Sequence, residues 1–71
     1  MPRNIFVTGA AGYIGRLTVA ELAAHEEVGR VVAYDIREAE VPESVVTVSG
    51  DIASQEIAPL LEQYGIDTVI H

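Results

Sequence analysis

Thr8-Gly9-Ala10-Ala11-Gly12-Tyr13-Ile14-Gly15 is the stretch on which the fold of this 71-residue chain turns. Ahead of it runs Ile5-Phe6-Val7, a short apolar segment of the kind that forms a strand buried on both faces. Behind it, from Gly12 to about Glu27, come helix-favouring residues with no internal proline. Gly15, Thr18, Val19 and Leu22 fall at i, i+3, i+4 and i+7, one stripe for packing against a sheet, and Leu17 lies off that stripe. The segment therefore leaves a strand and opens a helix. Gly9 permits the tight turn out of the strand, and Gly15 lets the helix approach it closely.

Working outward, Gly29 is read as the stop of this first helix. Val31-Val32-Ala33-Tyr34-Asp35 is a second buried strand that closes on an acid. Residues 36 to 44 are polar, contain Pro42 and show no helical stripe, so a loop is expected. Val45 to Ser49 reads as a third strand halted by Gly50-Asp51. Ile57, Leu60, Leu61 and Tyr64 repeat the i, i+3, i+4, i+7 spacing, with Gly65 placed as a C-cap. Pro59 lacks a backbone donor, so this second helix is expected to begin near Ala58, with Ser54 to Ile57 as a turn before it. Thr68-Val69-Ile70-His71 is a fourth strand. Strands alternating with helices predict an α/β fold: a partial Rossmann-type parallel sheet of about four strands, order 3-2-1-4, with one of two helices on each face.

Composition narrows the chemistry. Four basic residues (Arg3, Arg16, Arg30 and Arg37) face 11 acids, giving a net charge of −7, and there is neither lysine nor cysteine. Such a charge argues against nucleic acid as a partner, because that affinity rests on neutralising phosphates. Missing cysteine removes disulfides, thiolate nucleophiles and Cys-based zinc sites. No apolar run approaches the ~20 residues of a membrane span. Met1-Pro2-Arg3-Asn4 leads straight into the first strand without a signal-peptide pattern, and a cytoplasmic location is expected. Hydrophobic residues make up 49% of the chain, 17 of them Val or Ile, which suggests part of a larger core.

The glycines are spaced G-x-x-G-x-x-G, one residue longer than the dinucleotide fingerprint G-x-G-x-x-G, and they occupy the same strand-to-helix context. Gly12, lacking a Cβ, would let backbone approach a pyrophosphate, and the helix N-terminus would present its N–H groups and positive dipole end. Asp35 closes the next strand 20 residues after Gly15, where an acid would accept hydrogen bonds from an adenosine ribose. Its charge would repel the 2′-phosphate of NADP and so favours NAD. Arg37, two residues on, offers a guanidinium that could instead pair with that phosphate, or serve as a solvated loop charge near Glu38 and Glu40.

With these motifs in order, the sequence resembles the extended short-chain dehydrogenases/reductases of the NAD-dependent epimerase/dehydratase group, which act largely on nucleotide sugars. Thr8 to Gly15 is similar to that family's TGxxG[FY][IL]G loop, and Tyr34-Asp35-Ile36 to the end of its second strand. Gly50-Asp51-Ile52 is similar to its G-D-[ILV] segment, and Asp67-Thr68-Val69-Ile70-His71 to its D-x-V-[IF]-H strand. The resemblance covers the whole chain. It implies a cofactor site drawn from Gly9, Ala11, Gly12, Tyr13, Ile14, Asp35, Ile36, Arg37, Asp51 and Ile52. Asp51 and Ile52 would line the adenine edge; from the residues alone Asp51 is a strand-end or turn acid. Tyr13 and Ile14 would offer backbone N–H groups to phosphate while their side chains pack in the core.

The same resemblance implies that the catalytic Ser/Thr and Tyr-x-x-x-Lys lie elsewhere, since this chain has no lysine and Tyr64 is followed by Gly65-Ile66-Asp67-Thr68. Residues 1–71 are thus expected to be the N-terminal portion of an NAD(P)-binding Rossmann domain, inactive alone. The parent would be a homo-oligomer taking a dinucleotide and a sugar-nucleotide or similar small substrate. A stand-alone binding module and an NADP-dependent reductase or redox sensor of the same fold are the alternatives. His25 is expected to be solvated or dipole-stabilised near a helix end. His71 should point to the cofactor side yet only pack or fray. No His/Asp/Glu spacing suits a metal.

Overall fold

The structure, a computed structural model, describes residues 3–51 and 57–71. Four parallel strands, Arg3–Thr8 (β1), Val28–Asp35 (β2), Val46–Ser49 (β3) and Thr68–Ile70 (β4), form one sheet in the order β3-β2-β1-β4. Two helices join them, Tyr13–Ala23 (α1) between β1 and β2, and Ala58–Gln63 (α2) between β3 and β4. The chain thus forms a partial Rossmann-like α/β fold, and its strand order is the 3-2-1-4 expected from the sequence.

Side-chain alternation assigns one helix to each face. Ile5 and Val7 of β1 join Val31 and Ala33 of β2 in a buried cluster that takes in Val19 of α1, with Leu22 packed against it. Phe6 joins Val32 and Tyr34 on the opposite face, covered by Leu60, Leu61 and Tyr64 of the α2 region. The Phe6 and Tyr34 rings lie 5.4 Å apart in a tilted arrangement. Strands buried on both faces explain the unbroken apolar runs in β1 and β2. The inward stripe of α1 is the expected one. Thr18 fits on it because its hydroxyl donates to the Ile14 carbonyl at 2.9 Å.

Helix α2 begins at Ala58 with Pro59 in its first turn, where a missing N–H costs nothing. Gly65 follows at φ +61, the Gly65 N–H donates to the Glu62 carbonyl at 3.2 Å, and the Ile66 N–H donates to the Leu61 carbonyl at 2.9 Å. These are the paired bonds of a Schellman stop, so Gly65 terminates the helix as expected. Arg30 lies over the Tyr64 ring at 5.8 Å, which places Tyr64 at the edge of the core.

The end of α1 departs from expectation. The helix stops at Ala23, not near Glu27, and Gly29 does not end it but lies inside β2. The Arg3 N–H donates to the Glu27 carbonyl at 3.0 Å, so the backbone at Glu27 is already claimed by the sheet and cannot continue a helix. The β1–β2 register then shifts, Arg3 pairing with Val28 and Asn4 with Arg30, which leaves Gly29 as the extra residue of a bulge. His25 sits in the turn after α1, where its Nδ1 accepts from the Glu27 N–H at 3.2 Å. Strand β3 starts at Val46 because the Val45 N–H is taken by the Pro42 carbonyl at 3.0 Å. Of the turn expected over Ser54 to Ile57, residues 54–56 lie outside the described residues.

Candidate functional site

At the carboxyl ends of the strands, where open α/β sheets bind ligands, a cleft of about 330 Å³ opens. Thr8, Gly9, Tyr34, Asp35, Ile36, Gly50, Asp51 and His71 line it. Of the residues singled out in the sequence, Gly9, Asp35, Ile36 and Asp51 are on this wall.

Gly9 makes the turn at φ +66, a conformation costly for residues with a Cβ. Gly15 meets the loop from the helix side: a Cβ there would overlap the Gly9 carbonyl oxygen and stand 2.9 Å from the Ala10 Cα. The close approach inferred for Gly15 is therefore to the loop backbone that follows the strand. Gly12 is the N-cap of α1 and makes no side-chain cap hydrogen bond, so no side chain caps the first-turn N–H groups. A Cβ at Gly12 would lie 3.4 Å from the Gly9 carbonyl oxygen, an ordinary contact, so the missing side chain at this position leaves room rather than relieving a clash.

Asp35 organises the loop. Its Oδ2 accepts from the Ala11 N–H and its Oδ1 from the Arg37 N–H, each at 3.0 Å. The Arg37 Nε lies 3.9 Å from Asp35 Oδ1, but its side chain is 69% exposed and screened by water. Backbone donation from Arg37, partly opposed by desolvation and aided by the Ala11 N–H, holds the Asp35 carboxyl below its ordinary value of 3.8. The group is ionised at neutral pH. Two backbone bonds brace the same region: the Ala10 N–H donates to the Tyr34 carbonyl at 3.3 Å and the Gly50 N–H to the Asp35 carbonyl at 3.0 Å.

Tyr13 and Ile14 correct the expectation of core packing. The two residues are 69% and 70% exposed, because the α1 stripe turned toward the sheet is the one through Gly15, Val19 and Leu22. Only their backbone remains as a candidate contact. Ile52 lies outside the described residues. His71, expected to point to the cofactor side, does line the cleft, and beyond packing or fraying it holds its Nδ1 2.7 Å from Thr8 Oγ1. Thr8, Tyr34 and Gly50, which belong to the quoted motifs but not to the implied cofactor set, line the cleft as well. Their signal was positional, since each stands at or just past the carboxyl end of a parallel strand. Among the described residues no group of His, Asp and Glu is gathered to hold a metal ion, and no helix is long and apolar enough to cross a membrane.

A glycine turn, a helix N-terminus without a side-chain cap and an acid at the end of the neighbouring parallel strand thus belong to a partial Rossmann-like α/β fold. Comparison of the sequence with family profiles agrees: the NAD dependent epimerase/dehydratase family matches residues 5–71, and the chain belongs to that family. No curated protein gives a significant match to the chain.

Proposed function

We propose that residues 1–71 form the N-terminal, NAD-binding portion of an NAD-dependent epimerase or dehydratase acting on a nucleotide sugar. The observation that carries this is the Asp35 carboxylate, held at the cleft wall by the Ala11 and Arg37 N–H groups. The carboxylate, with about four acceptor sites, accepts from backbone N–H groups and has capacity left for the hydroxyls of an adenosine ribose. The first turn of α1 supplies N–H groups and its dipole to the pyrophosphate, with Gly12 leaving space for it. Asp51, paired with Ile52 in the family resemblance, lines the adenine edge, and Ile36 stands on the same cleft wall. Bound nicotinamide would supply the hydride acceptor; the chain's own residues bind and orient the dinucleotide. The proton-transferring tyrosine and its lysine lie outside these residues, so the 71-residue chain alone is inactive.

NAD is favoured over NADP, because a 2′-phosphate would meet an ionised carboxylate already committed to the loop. Arg37, exposed and within 3.9 Å of Asp35, supports the NADP-dependent alternative. Calorimetric titration of both cofactors into the chain separates them. Micromolar to sub-millimolar binding of NAD, at least tenfold tighter than NADP, is expected, and no binding of either up to millimolar concentration overturns the assignment.

The alternative of a self-contained module leaves an uncovered edge that only self-association would close. Strand β4 is an edge, and its Val69 and Ile70 are 45% and 36% exposed. A second copy pairing along β4 would cover it. Sedimentation velocity tests this: a dimer dispersed by Val69→Lys supports self-association, and a monomer at all concentrations removes it.

A further inference from the structure

The glycine loop is tied to β2 on one side by the Ala10–Tyr34 and Ala11–Asp35 bonds. On the other side its neighbour is β4, and the β1–β4 ladder ends early. Ile5, Phe6 and Val7 pair with Thr68, Val69 and Ile70, and the pairing stops one residue short of Thr8, which opens the loop. At that next step the side chains take over. Thr8 Oγ1 lies 2.7 Å from His71 Nδ1 and 3.4 Å from the Ile70 carbonyl oxygen. Thr8 is a buried polar residue among the described residues, so its hydroxyl needs a partner, and the imidazole is the closer of the two. A hydroxyl has one proton. Directed at the Ile70 carbonyl, it leaves Oγ1 to accept from a protonated Nδ1; directed at Nδ1, it leaves the long contact to Ile70 unused. In either arrangement β4 holds the residue from which Gly9 turns.

From this placement we infer that His71 is a positioning residue for the dinucleotide cleft: through Thr8 Oγ1 it fixes the β4-side root of the glycine loop. This inference rests on the proposal that the cleft takes a dinucleotide. It assigns His71 no contact with the reacting atoms. The latch acts on a loop whose N–H groups must be aimed before the ligand arrives, so its loss is felt in binding more than in folding.

The test is a double-mutant cycle on the full chain, with NAD affinity read by calorimetry and folding by thermal melting. Thr8→Val keeps the shape and removes the hydroxyl; His71→Leu removes the imidazole from a residue at the chain surface. Each is expected to weaken NAD binding on the order of fivefold, the effect of one neutral hydrogen bond. The double variant is expected to be no worse than either single. Thr8→Ser and His71→Asn, which restore a hydroxyl or an Nδ/Oδ partner, should recover most of the affinity, a rescue that a purely packing role would not show. The imidazole ¹⁵N shifts of His71 should also change in Thr8→Val without ligand, which keeps the test open if a binding variant is unstable. Unchanged affinity in His71→Leu, losses that multiply in the double variant, or ¹⁵N shifts indifferent to Thr8→Val would each overturn the latch. If the unsubstituted chain fails to bind NAD, the cleft assignment falls first and this inference with it; if it binds and the variants do not differ, only the latch fails.

Discussion

The Ala11 N–H donates to Asp35 Oδ2 at 3.0 Å across 24 residues of sequence, joining the glycine loop to the end of the neighbouring strand. One carboxylate therefore shapes the loop and faces the cleft. Replacing it tests both roles. Asp35→Ala removes the loop tether and the ribose acceptor together and should weaken NAD by about 10- to 100-fold, one to two charge-assisted hydrogen bonds. Asp35→Asn keeps an acceptor for the Ala11 N–H, so a smaller loss of NAD affinity and a rise in the NADP/NAD affinity ratio are expected in parallel titrations.

The three loop glycines should fail in three different ways. Gly15→Ala drives a Cβ into the Gly9 carbonyl and the Ala10 Cα, backbone atoms that cannot rotate aside, and should cost more than about 3 kcal/mol or abolish folding. Gly9→Ala places a Cβ at φ +66 with nothing within 4 Å, and should cost only about 1–2 kcal/mol of local strain. Gly12→Ala makes an ordinary contact and should leave the melting temperature within a few degrees while weakening NAD binding. Thermal melts paired with calorimetry distinguish all three.

Acid should act through Asp35. Its folded-state carboxyl sits below the ordinary 3.8, so its contribution to stability is complete above that value and is lost as the pH falls through the lower folded one. Urea midpoints measured from about pH 5 toward pH 2 should fall, and Asp35→Asn should flatten that decline over the same window. An Asp35→Asn chain with an unaltered acid limb would show that other carboxylates govern it.

The core tolerates little. Phe6 is fully buried and touches Tyr34, so Phe6→Ala should remove about 3–5 kcal/mol. A chain of this length holds about that much in total, so loss of the cooperative far-UV transition is the expected result.

Elements whose pattern is local were readable in the sequence. The apolar runs of β1 and β2, the inward stripe of α1, and the Pro59 start and Gly65 stop of α2 all follow from neighbours within a few residues. The misread positions share a different cause. Gly29 looks like a helix stop until Arg3 claims the Glu27 carbonyl and shifts the register, which makes it a strand bulge. Tyr13 and Ile14 are apolar residues in a helix, yet the packing of α1 on β1 and β2 turns them outward. His71 looks like a strand end without a task until β4 lies beside β1.

The chain's own pattern thus settled the number and kind of strands and helices and the acid one strand after the glycine-rich loop, but not the turn between α1 and β2. Periodicity and the steric demands of glycine and proline act over a handful of residues and need no partner to be legible. Tertiary structure alone decided that Asp35 grips Ala11, that His71 meets Thr8, and that these groups open onto one cleft. Those relations span 24 and 63 residues, and they exist only because lateral strand pairing brings the carboxyl ends of β2, β1 and β4 side by side.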